Sequence, residues 1–298
     1  MDNCITERFV VIDDFLSTPE SLSMREDIDA HFANPGEHKA DTHQLWNYWH
    51  VPGSYTYLRT APEKVIAREK VTAFVETLRT WAAVNLGFGE VTWPYLSLYV
   101  PGCAQGVHND SVNGRLGYVF SLTRDERKTI GGETLIFQDH DLFRSNLDRP
   151  AAGSAIFDLI EPRFNRLTLF DDRVPHAVQR VDGSMDPVEG RFVLHGHISE
   201  AGVVAQGALH PDAIREPVAI VFDELRTVIG RSAHGPLVFC IEIGQDGTVK
   251  RMRPLFDRLV SQANCDLEPV RASIAERISD LRFPSASGST RANIPLIF

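Results

Sequence analysis

Several features that mark specialised chains are scarce or missing. Only 4 of the 298 residues are cysteine, and Cys4, Cys103, Cys240 and Cys265 are far apart with no CxxC pair. That excludes a disulfide scaffold and fits a reducing compartment, so a cytoplasmic location is expected. No apolar run approaches the ~18 residues a membrane helix needs, and no membrane association is expected. The first residues, Met1–Phe9, lack both a basic and an apolar signal region, so no secretory leader is expected. Basic charge is in deficit. The chain has 30 Lys/Arg against 40 Asp/Glu, a net −10, which argues against a nucleic-acid partner because phosphate neutralisation needs clustered cations. What is present, 43% hydrophobic and 23% charged residues, is globular, and the length allows one large domain or two ordinary ones.

The charge is unevenly placed. Residues 206–298 carry 11 Lys/Arg and 11 Asp/Glu, leaving 19 of the 30 basic and 29 of the 40 acidic residues, and nine of the 11 histidines, in residues 1–205. With Gly202, Gly207 and Pro211 close by, this predicts two domains, 1–205 and 206–298. In the first, Phe9–Ile12 suits a strand, and Ser17-Thr18-Pro19 suits a helix start. Residues 62–86 carry apolar side chains at three- and four-residue spacing and predict one helix, ended by Gly87. After Pro94 the period falls to two, with strand candidates at 95–100, 115–122, 133–137, 154–157, 166–170 and 191–198. Many short strands after a helical preamble predict a sandwich or barrel with helices packed outside. In the second domain, residues 217–229 and 266–282 suit helices, Asp246-Gly247 suits a hairpin turn between 236–244 and 248–253, and 293–298 suits a last strand.

The candidate chemistry lies in the first domain. His108 and Asp110 are two apart on an extended stretch, so both side chains project to one side. His176 follows the apolar strand candidate at 166–170. Two imidazoles and a carboxylate make the facial set that suits Fe(II) and leaves coordination positions open. The same spacing also suits a solvated His–Asp pair at a strand end. Arg191 opens a strand downstream, and its planar fork suits the carboxylate of a cosubstrate. A surface arginine paired with Asp186 or Glu189 is the alternative. Period two puts Arg191, Val193, His195 and His197 on one face and Phe192, Leu194 and Ile198 on the other. A polar face on a strand that otherwise reads as buried suggests a liganded pocket. For His195 and His197, hydrogen-bonded core histidines are the other reading.

These residues, taken in order, resemble a known family. Residues 9–198 are similar to the 2-oxoglutarate/Fe(II)-dependent oxygenases, in their prolyl 4-hydroxylase-like branch. The resemblance runs through Phe9–Leu16, Tyr99-Val100-Pro101-Gly102 leading to His108 and Asp110, Gly131-Gly132-Glu133-Thr134, Ile160–Leu167, Pro175-His176-Ala177-Val178 and Arg191-Phe192-Val193. It implies an α+β fold, a double-stranded β-helix (jelly-roll) barrel with packed helices. It implies Fe(II) held by His108, Asp110 and His176, and 2-oxoglutarate held by Arg191 with Tyr99 beside it. It further implies O2 as oxidant, with ascorbate compatible as a reductant, and hydroxylation of an unactivated C–H coupled to decarboxylation of 2-oxoglutarate to succinate and CO2. Related halogenases carry a small residue at the carboxylate position, so Asp110 favours hydroxylation. Two features depart from the pattern. Val193 stands where many relatives have Ser or Thr, so a further contact to the cosubstrate carboxylate has to come from elsewhere, and residues 182–189 form a rather long insertion.

Asn109, Arg115, His195 and His197 are candidates to read the substrate, which the branch draws from peptides, proteins, carrier-bound molecules and small amino-acid-like compounds. Trp46–Trp49 is an aromatic cluster suited to a lid or to an edge anchored on the core. Residues 206–298, through Ile243–Val249, the helix ending at Leu281–Pro284 and the last strand Asn293–Phe298, resemble the TonB C-terminal fold, a small α/β domain of helix, hairpin, helix and strand. With no catalytic cluster there, the expectation is a docking or homodimerisation module. A catalytically silent jelly-roll binding protein is the alternative function, and a zinc hydrolase ranks last because the chain has no HExxH.

Overall fold

The computed structural model describes residues 4–33, 46–138, 156–229, 233–261 and 266–298. The chain forms two compact units: one from residues 8–77 and 91–198, the other from 1–7, 78–90 and 199–298. Segments 1–7 and 78–90 join the second unit through contacts remote in sequence, which composition does not register.

The first unit is a sheet with helices. Its strands are β1 (Phe9–Ile12), β2 (Asn47–Val51), β3 (Tyr55–Thr60), β4 (Tyr95–Tyr99), β5 (Ala104–His108), β6 (Leu116–Ser121), β7 (Thr134–Phe137), β8 (Phe157–Ile160), β9 (Leu167–Asp171), β10 (His176–Val178) and β11 (Arg191–Ser199). They pair in the order β1-β9-β6-β11-β4-β3-β5-β10-β7-β8, with β2 on β3. Every one of these pairings is antiparallel. Most neighbours in that order are non-consecutive, which gives the crossovers of a jelly-roll-like α+β fold.

Helix α1 (Thr18–Ala33) starts where Ser17 and Glu20 bond each other across the first turn, Ser17 Oγ to Glu20 Oε2 at 2.5 Å. Its buried Arg25 donates to Leu122 O and Val188 O and lies over the Phe192 ring. Phe15, Phe74 and Phe120 pack ring on ring beneath. The stretch expected to be one helix over 62–86 divides. Pro62–Lys64 is a single 3-10 turn, Val65 leaves helical geometry, and helix α2 spans Arg68–Asn85. Pro62 fixes the first turn, and the helix proper starts later, with Lys70 and Val71 N–H both donating to Ala67 O. Asn165 has a positive φ of 59° and is buried, its amide bonding both backbone groups of Leu16. A left-handed residue is needed there, which glycine or asparagine can supply.

The second unit has a four-stranded antiparallel sheet ordered β12-β15-β13-β14, with β12 Val204–Gly207, β13 Pro236–Ile243, β14 Val249–Asp257 and β15 Thr290–Ile297. Helix α3 (Pro211–Ile229) starts six residues before the expected 217, and Pro217 falls within its second turn. Helix α4 spans Glu268–Ser279. Leu237, Phe239, Ile241 and Ile243 alternate onto one face of β13 and form a core with Ile214, Val218, Ile274 and Ile278 of the helices. The expected hairpin turn forms: Gly247 has a φ of +75°, and Asp246 Oδ1 accepts from Thr248 Oγ1 at 2.8 Å.

The strand expected at 154–157 begins outside the described residues, as does Cys265. Cys4, Cys103 and Cys240 are free thiols. Among the described residues, no helix is long and apolar enough to cross a membrane.

Candidate active site

Strand register brings the candidate residues together. His176, first residue of β10, lies directly opposite His108, last residue of β5. Asp110 follows β5 by two residues, with its backbone N–H held by Asp172 O at 2.8 Å. The offered ligand atoms of His108, Asp110 and His176 all lie within 4.8 Å of one another. His176 Nε2 is 3.4 Å from Asp110 Oδ2 and His108 Nε2 is 4.0 Å from Asp110 Oδ1.

Backbone carbonyls set the imidazoles. His108 Nδ1 faces Gly106 O at 2.8 Å and His176 Nδ1 faces Val174 O at 3.0 Å. A carbonyl only accepts, so each Nδ1 carries its proton and each Nε2 turns a lone pair inward. The electrostatics agree. Burial, then the neighbouring His176, pushes the His108 pKa down and keeps it neutral. Burial opposes ionisation of Asp110, but the neighbouring imidazoles of His176 and His108 outweigh it and hold the carboxyl near 2. One carboxylate and two imidazoles whose Nε2 atoms face it form a donor set for a divalent ion with nitrogen and oxygen preferences.

Asp110, Asp172 and His197 form a second close group. There, however, His197 Nδ1 already bonds Asp172 Oδ2 at 3.0 Å, and Asp172 is fully buried. Burial raises the Asp172 pKa against the pull of His197. The His197 pKa stands above its ordinary value because the Asp172 bond outweighs burial. His197 and Asp172 form a bonded pair behind the Asp110 backbone, with Asp172 Oδ1 left without a hydrogen-bond partner.

Across β4 and β11, Arg191 is paired in register with Tyr99, and its guanidinium lies over that ring at 4.7 Å. Arg191 is 2% exposed, donates from Nη2 to Thr134 Oγ1 at 3.2 Å, and its buried Nε has no hydrogen-bond partner. No carboxylate among the described residues is ion-paired with it. Burial pulls its pKa down, as expected for a desolvated cation. The hydroxyl beside Arg191 belongs to Thr134, the last residue of the Gly131–Thr134 segment. Tyr99 also donates to Gln105 Oε1 at 3.3 Å and stacks on Tyr57, and burial raises its pKa strongly.

The ligand group, Arg191, Tyr99, Thr134, His195 and His197 line one cavity of about 170 Å³, together with Tyr57, Arg59 and Gln105. Phe192, Leu194 and Ile198 are fully buried on the other face of β11, so the period-two reading of that strand holds. His195 bonds Ser97 Oγ at 2.8 Å. Asn109 and Arg115 do not line the cavity. Asn109 is exposed and accepts from Ser111 Oγ, and Arg115 holds the chain through its backbone, N–H to Ile198 O and O from Asp172 N–H. The Trp46–Trp49 cluster is divided by strand alternation. Trp46 packs on Phe32 and Phe192, whereas Trp49 lies over Arg59. Arg59, Tyr57, Gln105, Thr134 and Asp172 were not candidates from the sequence. Only Thr134 stood inside a recognised motif.

Two measurements test this geometry. Gly132 has a φ of +80°, and an added Cβ would meet Arg191 Cδ at 2.9 Å. Gly132→Ala is expected to cost about 1–3 kcal/mol of stability through backbone strain, read as a lowered denaturation midpoint. His195 has a pKa lowered from 6.5 to about 3 by burial, then by Arg59 and Arg191. Its folded value lies below its unfolded value, so the unfolded chain binds the proton more tightly. Stability should fall as pH drops from about 6.5 towards 3, by up to about 1.4 kcal/mol per pH unit, and stop falling below that window. In His195→Gln, whose amide can keep the Ser97 bond, denaturant titrations across that window should show a shallower slope.

The fold and the site together define a class: an α+β protein whose curled antiparallel sheet gathers a two-histidine, one-carboxylate group and a buried, unpaired guanidinium in one cavity. No family model matches the sequence, and no curated protein matches it. Solved structures resemble the fold. A prolyl-4-hydroxylase from Pseudomonas putida is 18% identical, over 65% of this chain and 94% of that one, with a TM-score of 0.47. A prolyl hydroxylase from Trichoplax adhaerens, solved with a hypoxia-inducible-factor peptide fragment, is 16% identical over 64% and 82%, with a TM-score of 0.45. AviO1 from Streptomyces viridochromogenes Tue57 is 16% identical over 66% and 91%, also at 0.45.

Proposed function

We propose that the chain is a non-haem Fe(II)/2-oxoglutarate-dependent oxygenase that hydroxylates an unactivated C–H of an amino-acid residue or amino-acid-like molecule. The observation that carries this reading is Arg191. A fully buried guanidinium with an idle Nε is costly unless an anion joins it. It shares a small cavity with a donor set suited to Fe(II).

The residues fit both groups. His108, Asp110 and His176 would hold Fe(II), and Arg191 with Thr134 would hold the distal carboxylate of 2-oxoglutarate. When bound, the metal and 2-oxoglutarate together supply the oxidising power, from O2, to break a C–H bond. The chain's own part is to bind and to orient. The Gly106 and Val174 carbonyls keep both imidazoles in the ligating tautomer. Asp110 stays ionised at neutral pH. The apolar side chains of Val178 and Val193, with the Tyr99 ring, exclude water from around Arg191 and strengthen its grip on an anion.

The test is anaerobic reconstitution with Fe(II) followed by 2-oxoglutarate. A weak visible charge-transfer band that needs both additions is expected. Bound iron with no band on adding 2-oxoglutarate would overturn the reading. For residues 206–298 we keep the docking or homodimerisation role and the resemblance to the TonB C-terminal fold. Sedimentation analysis of the full chain would show a concentration-dependent dimer if the unit self-associates.

A further inference from the structure

One cation of the cavity is left without a role. Arg59 lines the same cavity as the ligand group and Arg191. Its guanidinium is stacked between two rings, 3.7 Å from the centroid of Trp49 and 4.1 Å from that of Tyr95. The two ring contacts fix the direction of the guanidinium, and although the Tyr57 hydroxyl takes one of its hydrogen bonds, further donors along its edge remain for a ligand. No carboxylate among the described residues is ion-paired with Arg59. Asp110, the carboxylate among the lining residues, already lies against His108 and His176. Trp49 and Tyr95 are 36% and 48% exposed, so the stack stands at the mouth, whereas Arg191 is deeply buried. β2, which carries Trp49, is exposed along its whole length, so core packing does not explain the stack.

Charge bookkeeping points the same way and rests on the oxygenase reading. Fe(II) and Arg191 would balance Asp110 and the two carboxylates of 2-oxoglutarate. His195 is neutral, since burial and the nearby arginines hold its pKa near 3. Arg59 then remains as a preoriented positive fork facing the entrance. The cavity, at about 170 Å³, is small beside pockets that enclose drug-sized ligands. With 2-oxoglutarate inside, the substrate has to be met at the mouth.

We propose that Arg59 is the substrate anchor of this site and that the substrate presents a carboxylate to it, held edge-on between Trp49 and Tyr95. The carboxylate has two sources, the free acid group of an amino-acid-like molecule or an acidic side chain within a peptide.

Trp49 lies against Arg59 and so reports its occupancy through tryptophan fluorescence, with Trp49→Phe assigning the signal. One arm titrates the free L-amino acids against their carboxamides. The other titrates acetyl-Gly-Glu-Gly-amide against its Gln counterpart. In each pair only the carboxylate differs. The expected result is at least one acid that binds about tenfold or more tighter than its neutral counterpart, the gain of one charge-assisted contact. That preference should vanish in Arg59→Gln and survive in part in Arg59→Lys. The arm that shows it identifies the source. No acid preference in either arm, or a preference that persists in Arg59→Gln, overturns the proposal. So does an Arg59→Gln variant whose 2-oxoglutarate affinity falls as far as that of an Arg191 variant, because the guanidinium would then serve the cosubstrate. The fluorescence titration needs no turnover, and the Fe(II)/2-oxoglutarate band is read separately. Loss of the band with a retained acid preference would sink the oxygenase reading and leave the Arg59 anchor standing.

Discussion

Asp110→Ala is expected to lower Fe(II) affinity by about a hundredfold or more and to abolish 2-oxoglutarate turnover. Loss of an outer-shell partner alone typically costs about 10- to 100-fold in metal affinity, and Asp110 supplies the only negative charge in the proposed ligand set. The variant should nevertheless fold. Asp110 is desolvated, its Oδ1 makes only a long 3.4 Å contact from Asn113 Nδ2, and its backbone N–H keeps the Asp172 carbonyl whatever the side chain. Two melting curves separate the ligand role from a structural one. Without metal, the variant should melt within a few degrees of the parent. With excess Fe(II) under anaerobic conditions, the parent should gain stability by mass action and the variant should not. An Asp110→Ala protein that still gains the full metal-dependent shift would remove Asp110 from the ligand set. One that melts far below the parent without metal would make the carboxylate a structural element.

Much of this site was legible in the sequence because strands have a fixed period. Side chains two apart share a face, so His108 with Asp110, and Arg191 with His195 and His197, could be grouped without any structure. The face of β11 that reads as polar does line the cavity, and its alternate residues Phe192, Leu194 and Ile198 are fully buried. What was not legible depends on register between strands remote in sequence. Arg59 meets Tyr95 because β3 lies beside β4, and it meets Trp49 because β2 folds back on β3. Nothing local marks Arg59 as different from any other arginine in a polar strand. Thr134 stands beside Arg191 only because β7 and β11 both face the cavity. Asn109 and Arg115 failed to reach it for the converse reason. Nearness to His108 and Asp110 in sequence put them forward, but Asn109 is exposed to solvent and the Arg115 backbone is bonded to Ile198 and Asp172.

Arg191→Met should produce two opposite effects. The first is on binding. A bidentate guanidinium–carboxylate contact consists of charged hydrogen bonds of about 1.5–3 kcal/mol each, so its loss should weaken 2-oxoglutarate by about a hundredfold or more. Fe(II) affinity measured without cosubstrate should change far less, because Arg191 is not part of the ligand group. Arg191→Lys should recover only part of the loss, since an ammonium cannot reproduce the planar fork. The second effect is on stability. In the protein alone, Arg191 is a desolvated cation with an unpaired Nε, held by one threonine hydroxyl and the face of Tyr99. Tyr57, Tyr99, Cys103, Val178, Val181 and Val193 cluster as an apolar group around that end of the cavity. A methionine of similar length packs there without an uncompensated charge, so the variant without ligand should be at least as stable as the parent in denaturant titrations. Adding 2-oxoglutarate with the metal should reverse the ranking, because only the parent gains from the anion. A residue kept at a cost to the empty protein and repaid only by an anionic ligand belongs to a binding site. If Arg191→Met is instead strongly destabilised in the absence of ligand, the guanidinium is a structural part of the barrel wall and the 2-oxoglutarate assignment loses its main support.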